Sequence, residues 1–383
     1  MILKDYHEGL KKYILFYFSL YEVQFISLTN CSVIDKGKVL IFPLFLGVTS
    51  VFAVWHIFFQ MASLDNIMDF TYNFNLSSAG FQTIITLLTI LSSKTKFLTI
   101  LEYLEDISTS NAEYFAEARE NYLKNSISIA WHILRIFFIV STVASIPVLV
   151  FGLYQTDFVS PLYYKLPGLS SNSTFYYPAN IILQPIHYFL LMETIVATDL
   201  LIIIYLFYFR GEFYVINAVA ELLTEKSILE TNYERILLMI HKAHTTTLTN
   251  YSILYDVLWH FYCQKFFVVT LYLCASIFVF MKVTNSSIIG IILLAFVIAQ
   301  LLLLCVPGQL IYNCSELLRN TLYSILWYEM KLKDQKDLLT MMITAERTIQ
   351  PGTIAIGQIS IITFVQVNID LLGKFSGFAH TLA

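Results

Sequence analysis

The chain has 383 residues, of which 57% are hydrophobic and only 13% charged, with a formal net charge of -4. Soluble globules carry roughly 25% charged residues, so half of the usual solvating surface is missing and an ordinary soluble fold is excluded. With a mean hydropathy of +0.68 the sequence reads as an integral membrane protein, and its slight acidity offers no basic patch to a nucleic-acid partner.

Residues 1–38 place Lys4, Lys11, Lys12, Lys36 and Lys38 around a mixed polar and aromatic stretch with no small-residue cleavage site. They are expected to stay as a cytoplasmic amino terminus rather than to be removed as a signal peptide. A helix crossing a hydrocarbon core of ~30 Å needs about 20 mostly apolar residues. Seven segments qualify: 39–61, 66–92, 127–153, 181–209, 261–281, 287–310 and 353–381. The second is crowded at its start by Asn66, Asp69, Asn73 and Asn75, and polar, helix-prone segments lie at 93–126, 210–260 and 311–352. No internal repeat is visible, which gives an inverted-repeat transporter no support.

Lysine and arginine set the orientation. Of the 23, five lie in residues 1–38, four between spans two and three, four between spans four and five, and five between spans six and seven. The opposite connections hold only Lys165 and Lys282. The positive-inside rule therefore predicts a cytoplasmic amino terminus and an extracellular carboxyl terminus. That is the reverse of G-protein-coupled receptors, and no Asp-Arg-Tyr or Asn-Pro-x-x-Tyr motif stands at the span ends. Asn172-Ser173-Thr174 falls in the predicted outer loop 154–180 as a glycosylation acceptor. Arg135, Glu193 and Asp199 lie inside spans without an evident partner pattern and read as packing residues near helix ends, and Lys265 also falls inside a span.

The outer halves of spans two, three and four are rich in aromatic and soft apolar side chains. Phe70, Tyr72, Phe74, Ser145, Phe151, Tyr154, His187, Tyr188 and Met192 suit a small apolar ligand held by burial and oriented by one or two hydroxyls. Aromatic belts at membrane interfaces explain the same residues without a ligand. Pro147 and Pro185 stand near the outer ends of spans three and four, where bends open space between helices.

In the last span, Thr363, Gln366, Asp370, Gly373 with Lys374, Gly377 and His380 recur at steps of three and four, on one face of a helix. Ile361, Ile362, Val365, Ile369, Leu372 and Phe375 occupy the other face. Ionised residues facing lipid cost ~2.5–3.5 kcal/mol on insertion scales, so the polar stripe should face protein or water. Two readings remain: a pore lined by several copies, or a packed helix whose Asp370 and Lys374 neutralise each other.

Enzyme chemistry finds no footing. The five cysteines make no CxxC or His/Cys spacing, His241 and His244 lack a third metal ligand, and neither a Gly-rich phosphate loop nor a Gly-x-Ser-x-Gly elbow occurs. No cofactor is expected.

The chain resembles the insect odorant receptors over most of its length in topology, length and loop sizes, most specifically at its carboxyl end. Pro307-Gly308-Gln309 closes span six, Glu316-Leu317-Leu318-Arg319 leads to Tyr323 and Trp327 at the spacing of one helical turn, and a helix runs to Met341 and Met342. Gly352, Ile359-Ser360, Phe364 and Phe375 follow, although Ala345-Glu346-Arg347-Thr348 and Lys374-Phe375 depart from the usual residues. Gustatory receptors end in a different signature, absent from 363–383, and the odorant co-receptor has a longer connection between spans four and five. The resemblance implies an all-α seven-helix membrane subunit in three parts: spans one to six over 1–310, a cytoplasmic anchor over 311–352 and a pore-lining helix over 353–383. It further implies a tuning subunit that binds a volatile organic ligand in the outer pocket. With the co-receptor it would form a tetrameric, ligand-gated cation channel in the plasma membrane of olfactory neurons, with Tyr323 and Trp327 in the subunit anchor. A gustatory-type channel and a non-channel transporter are the alternatives.

Overall fold

The computed structural model describes residues 3–21, 44–48, 50–60, 67–110, 114–155, 169–170, 172–226, 233–282, 287–346, 352–353, 357–358, 361–362 and 365–366. Nearly all of these are helical. In chain order they form α1 (Leu3–Tyr21), α2 (Leu44–Phe59), α3 (Ile67–Ser92) and α4 (Lys94–Thr109). Helix α5 joins Phe115–Ala118 to Lys124–Gln155 through a π turn at Arg119–Leu123. Helix α6 joins Tyr176–Pro178 to Gln184–Glu221 through a π turn at Ala179–Leu183. There follow α7 (Tyr233–Lys282), α8 (Ser287–Ser324) and α9 (Leu332–Ala345). A short antiparallel pair joins Gly352–Thr353 to Gly357–Gln358.

Among the described residues four helices are long and apolar enough to cross a membrane, or five if α3 is counted with α4, from which it is bent by 59°. The four are α5 to α8, which contain the spans expected at 127–153, 181–209, 261–281 and 287–310. The span expected at 66–92 is α3. Most of the span expected at 353–381 lies outside the described residues, where only Ile361–Ile362 and Val365–Gln366 are seen as helical.

Helix α6 is the centre of the bundle, packed against α5, α7 and α8. Every residue from Thr194 to Phe209 is buried, as expected for a helix apolar on all sides. Helix α5 is one-sided instead. Its Ile136, Ile139, Val140, Val143, Ile146 and Val150 are exposed at steps of three and four, a stripe fitted to lipid. The helices also overrun the bilayer: α7 has 50 residues, or about 75 Å at 1.5 Å per residue.

Two expectations need correction. Pro307 does not close a helix, because α8 continues through it to Ser324. Membrane helices tolerate proline where neighbours satisfy the freed carbonyl. Tyr323 and Trp327 are not a helical turn apart either, since α8 ends at Ser324 and Trp327 opens a separate 3-10 turn, Trp327–Glu329.

The amino-terminal helix holds a feature the sequence did not disclose. Helix α1 buries Leu3, His7, Leu10, Ile14, Tyr17, Phe18 and Tyr21, packs against α4 and α5, and hydrogen-bonds along α6. His7 Nδ1 meets the Tyr208 hydroxyl at 2.8 Å, Tyr13 donates to the Ala197 carbonyl at 3.0 Å, Tyr17 meets Thr198 at 3.0 Å, and Tyr21 donates to Thr194 at 3.1 Å. These contacts follow α6 from Tyr208 back to Thr194, roughly 21 Å at 1.5 Å per residue. Residues 3–21 are therefore a docked strap, not a free tail. Lys11 holds its other side to Glu105 of α4 at 2.6 Å.

Both titratable contacts of this strap weaken on acidification. Burial holds the His7 imidazole below its ordinary 6.5, against the opposing field of Glu105. Its contribution is present above pH 6.5 and is lost as pH falls through the lowered value. The hydrogen bond from Lys11 lowers the Glu105 carboxyl, so that contribution is present above pH 4.5 and disappears at still lower pH. Hydrogen-exchange protection factors of residues 3–21, taken relative to the intrinsic rate at each pH, should be level from pH 8 to about 6.5 and fall below that. Lys11→Met should abolish only the later, more acidic phase. Exchange rates that show no acid-dependent loss of protection would remove His7 and Glu105 from this role.

Candidate ligand pocket and pore helix

The outer pocket begins at the α5–α6 contact. Glu193 Oε1 accepts hydrogen bonds from Ser141 at 3.0 Å and Thr142 at 3.2 Å, which fixes how the two antiparallel helices face. One turn outward on α5 is Ser145, and the same step on α6 runs back towards Tyr188. The register thus brings Ser145 to about the level of Tyr188, with Met192 one turn away beside Glu193. Ser145 is buried with its hydroxyl donated to the Ser141 carbonyl at 2.8 Å, Tyr188 is buried, and Met192 packs half-buried against the core.

His187 is reached from α2, the first expected span, whose side chains were not among the pocket candidates. Phe45 of α2 stacks on its ring at 5.0 Å with 8° between planes. In the α2–α3 hairpin Ser50 donates to the Ser77 carbonyl and Gly47 lies against Ile84, so Phe45 is level with about Gln82–Thr86 of α3. At that level Gln82 is buried with neither side-chain amide atom hydrogen-bonded. Phe70 and Phe74 stack on each other at 6.1 Å, but they stand roughly 12–18 Å further along α3. They belong to a more external layer than His187. The side chains of Tyr72, Phe151 and Tyr154 lie outside the described residues, although all three backbones are helical. Pro147 sits within α5 without ending it, and Pro185 begins the regular part of α6 after the π turn. Asn172 is exposed in the turn that precedes α6.

Of the stripe on the last helix, Gln366 is described and is helical and exposed, as are Ile361, Ile362 and Val365. Asp370, Gly373, Lys374, Gly377 and His380 lie outside the described residues. Tyr323 and Trp327 are both half exposed, and the Tyr323 hydroxyl donates to Glu346 at 2.8 Å.

Among the described residues, Arg135, Glu193, Asp199 and Lys265 each have a partner, and the partners on other helices could not be read from spacing. Asp199 of α6 meets Lys265 of α7 at 2.6 Å, with both side chains almost wholly buried. The Arg135 guanidinium lies over the Trp131 ring at 4.7 Å. At the inner end of α6, Glu212 is bound by Arg119, again buried. Glu193, Phe45 and Gln82 neighbour the candidate pocket residues and were not among those the sequence put forward. Glu193 was visible as a carboxylate inside a span, a costly placement that signals a partner or a role.

No curated protein matches the chain in sequence. Solved structures that match its shape include two of an insect olfactory receptor. The insect olfactory receptor OR5 from Machilis hrabei in complex with eugenol superposes with a TM-score of 0.73 at 12% identity, over 98% of this chain and 99% of that one. A further structure of OR5 from Machilis hrabei gives 0.72 at 13% identity, over 97% and 98%. At such identities the likeness establishes a shared fold. The sequence itself carries the family, because a model described as 7tm Odorant receptor matches residues 66–368, most of the chain. This multi-pass membrane protein is a member of the odorant receptor family, which is a receptor family and not an enzyme family.

Proposed function

We propose that the chain is the odorant-tuning subunit of a heteromeric cation channel. The observation that carries this reading is the family match over residues 66–368, joined to a fold shared along nearly the whole chain with a receptor solved with eugenol, itself a small aromatic molecule. The lysine and arginine bias supports seven spans with the amino terminus inside, and the exposed Gln366 supports a last helix that turns away from its own bundle. In the assembled channel, Gln366, Asp370, Gly373, Lys374, Gly377 and His380 line the conduction path. Tyr323 and Trp327 join subunits at the cytoplasmic anchor, in a tetramer completed by the co-receptor. The membrane is the plasma membrane of olfactory neurons, and Asn172 is exposed on the outer side for glycosylation.

A volatile ligand enters between α2, α3, α5 and α6 and is held by Tyr188, Met192, Ser145 and the Phe45–His187 stack. It opens the channel only by binding the open arrangement more tightly than the closed one. Expression with an insect co-receptor should give odorant-evoked cation currents that the chain alone does not give. Within that channel, Tyr188→Ala should shift the half-maximal odorant concentration by tenfold or more, on the order of the loss from one buried aromatic contact. Dose–response curves unchanged by Tyr188→Ala would displace the pocket, and absence of current with every co-receptor tried would displace the channel.

A further inference from the structure

At the end of the bundle that the basic residues assign to the cytosol, α4, α5, α6 and α7 line an open cleft of about 470 Å³, remote from the candidate outer pocket. Its floor is the Arg119–Glu212 ion pair. Arg119 Nη2 donates to Glu212 Oε1 at 2.9 Å and Nε donates to Oε2 at 3.4 Å. The third guanidinium nitrogen, Nη1, is buried with no hydrogen-bond partner, although the Arg119 side chain is only 9% exposed. The Phe115 ring lies 5.3 Å from the guanidinium carbon. Buried donors are almost always satisfied, and one left empty costs the desolvation of the group. Arg119 also opens the π turn of α5, a distortion that recurs at functional sites.

The remaining walls define what completes this donor. Two cations, Arg119 and Lys242, face two carboxylates, Glu212 and Asp106, so the lining charge cancels and gives no preference for an ion. Met239, Ile107, Ala243 and Phe115 make the interior apolar. The volume falls within the roughly 300–1,000 Å³ of small-molecule sites. We propose that this cleft is a second ligand site, for a neutral, membrane-permeant compound whose carbonyl oxygen accepts the Arg119 Nη1 hydrogen while its hydrocarbon part fills the space beside Met239. The site is independent of the outer pocket and of the reading of the chain as a tuning subunit.

The probe is benzophenone, a neutral diaryl ketone that labels C–H groups on irradiation. Its excited carbonyl takes hydrogen from a neighbouring carbon and the two radicals combine, forming a C–C bond and a tertiary alcohol, so the adduct keeps the whole mass of the probe. The purified full-length chain is irradiated with it and digested, and the adducts are located by mass spectrometry. Adducts are expected on the peptide that carries Met239. Acetophenone should suppress them at roughly one tenth of the concentration needed of ethylbenzene, which has similar size but no acceptor oxygen. Ala243→Phe, which fills the cleft from α7, should remove the Met239 adduct while leaving any labelling around Tyr188 in place. Equal competition by ethylbenzene would overturn the Arg119 contact, and absence of label from the Met239 and Ile107 peptides of the unaltered chain would overturn the site. Labelling near Tyr188 reports on the outer pocket alone, so the two readings fail separately.

Discussion

Lys265→Met is expected to leave little folded receptor, whereas Lys265→Met combined with Asp199→Leu should recover most of it. The two side chains meet at 2.6 Å between α6 and α7, exposed by only 1% and 2%. Methionine in place of Lys265 fills similar space but strands the Asp199 carboxylate among apolar neighbours. Removing one member of a buried pair costs about 3–5 kcal/mol, a large share of the ~5–15 kcal/mol that holds a typical domain together. Removing both members substitutes apolar contact for ionic contact and is often neutral or better. Monodisperse yield and thermal midpoint of the detergent-solubilised protein separate the outcomes. A Lys265→Met protein as abundant and as heat-resistant as the unaltered one would mean that water or another group already compensates Asp199.

The same pair marks the limit of what the sequence discloses. Asp199 and Lys265 lie 66 positions apart on different helices, and no spacing rule connects them. Continuous apolar runs were legible, which is why α3 and α5 to α8 fall where they were expected. Helix α1 was not, because Tyr13, Tyr17 and Tyr21 dilute its apolar character and their hydroxyl partners on α6 are more than 170 residues away. Pro307 misled for a related reason: a local breaker was outweighed by packing on both sides of a long helix. Residue type alone put Ser145, His187, Tyr188 and Met192 forward as pocket candidates. The Glu193 clamp between α5 and α6 and the Phe45 stack on His187 needed the third dimension.

Trp327→Ala is expected to break up assembly with the co-receptor while sparing the fold of the subunit itself. Trp327 and Tyr328 form a T-shaped pair on the 3-10 turn after α8, and both are exposed together with Leu332, Leu339 and Ile343 of α9. Isolated exposed apolar residues are ordinary, but a concentration of them on a helix-and-turn surface outside the spans marks an interaction face. That face is held rigidly: Tyr233 of α7 donates to Asp334 at 3.1 Å and Lys331 pairs with Glu234 at 2.5 Å. If the proposed anchor is right, a partner subunit would meet a preformed surface and would not have to order it. Tryptophan at the centre of such a surface commonly contributes 2 kcal/mol or more, which is roughly thirtyfold in affinity. Tyr323→Phe keeps the ring and loses only the hydrogen bond to Glu346, so its effect should be much smaller. Phe59→Ala, which alters an exposed aromatic on α2 instead, serves as the control. Size-exclusion chromatography of the co-expressed complex reads the result directly. Intact tetramers with Trp327→Ala, or equal losses with Phe59→Ala, would move the subunit anchor away from this turn.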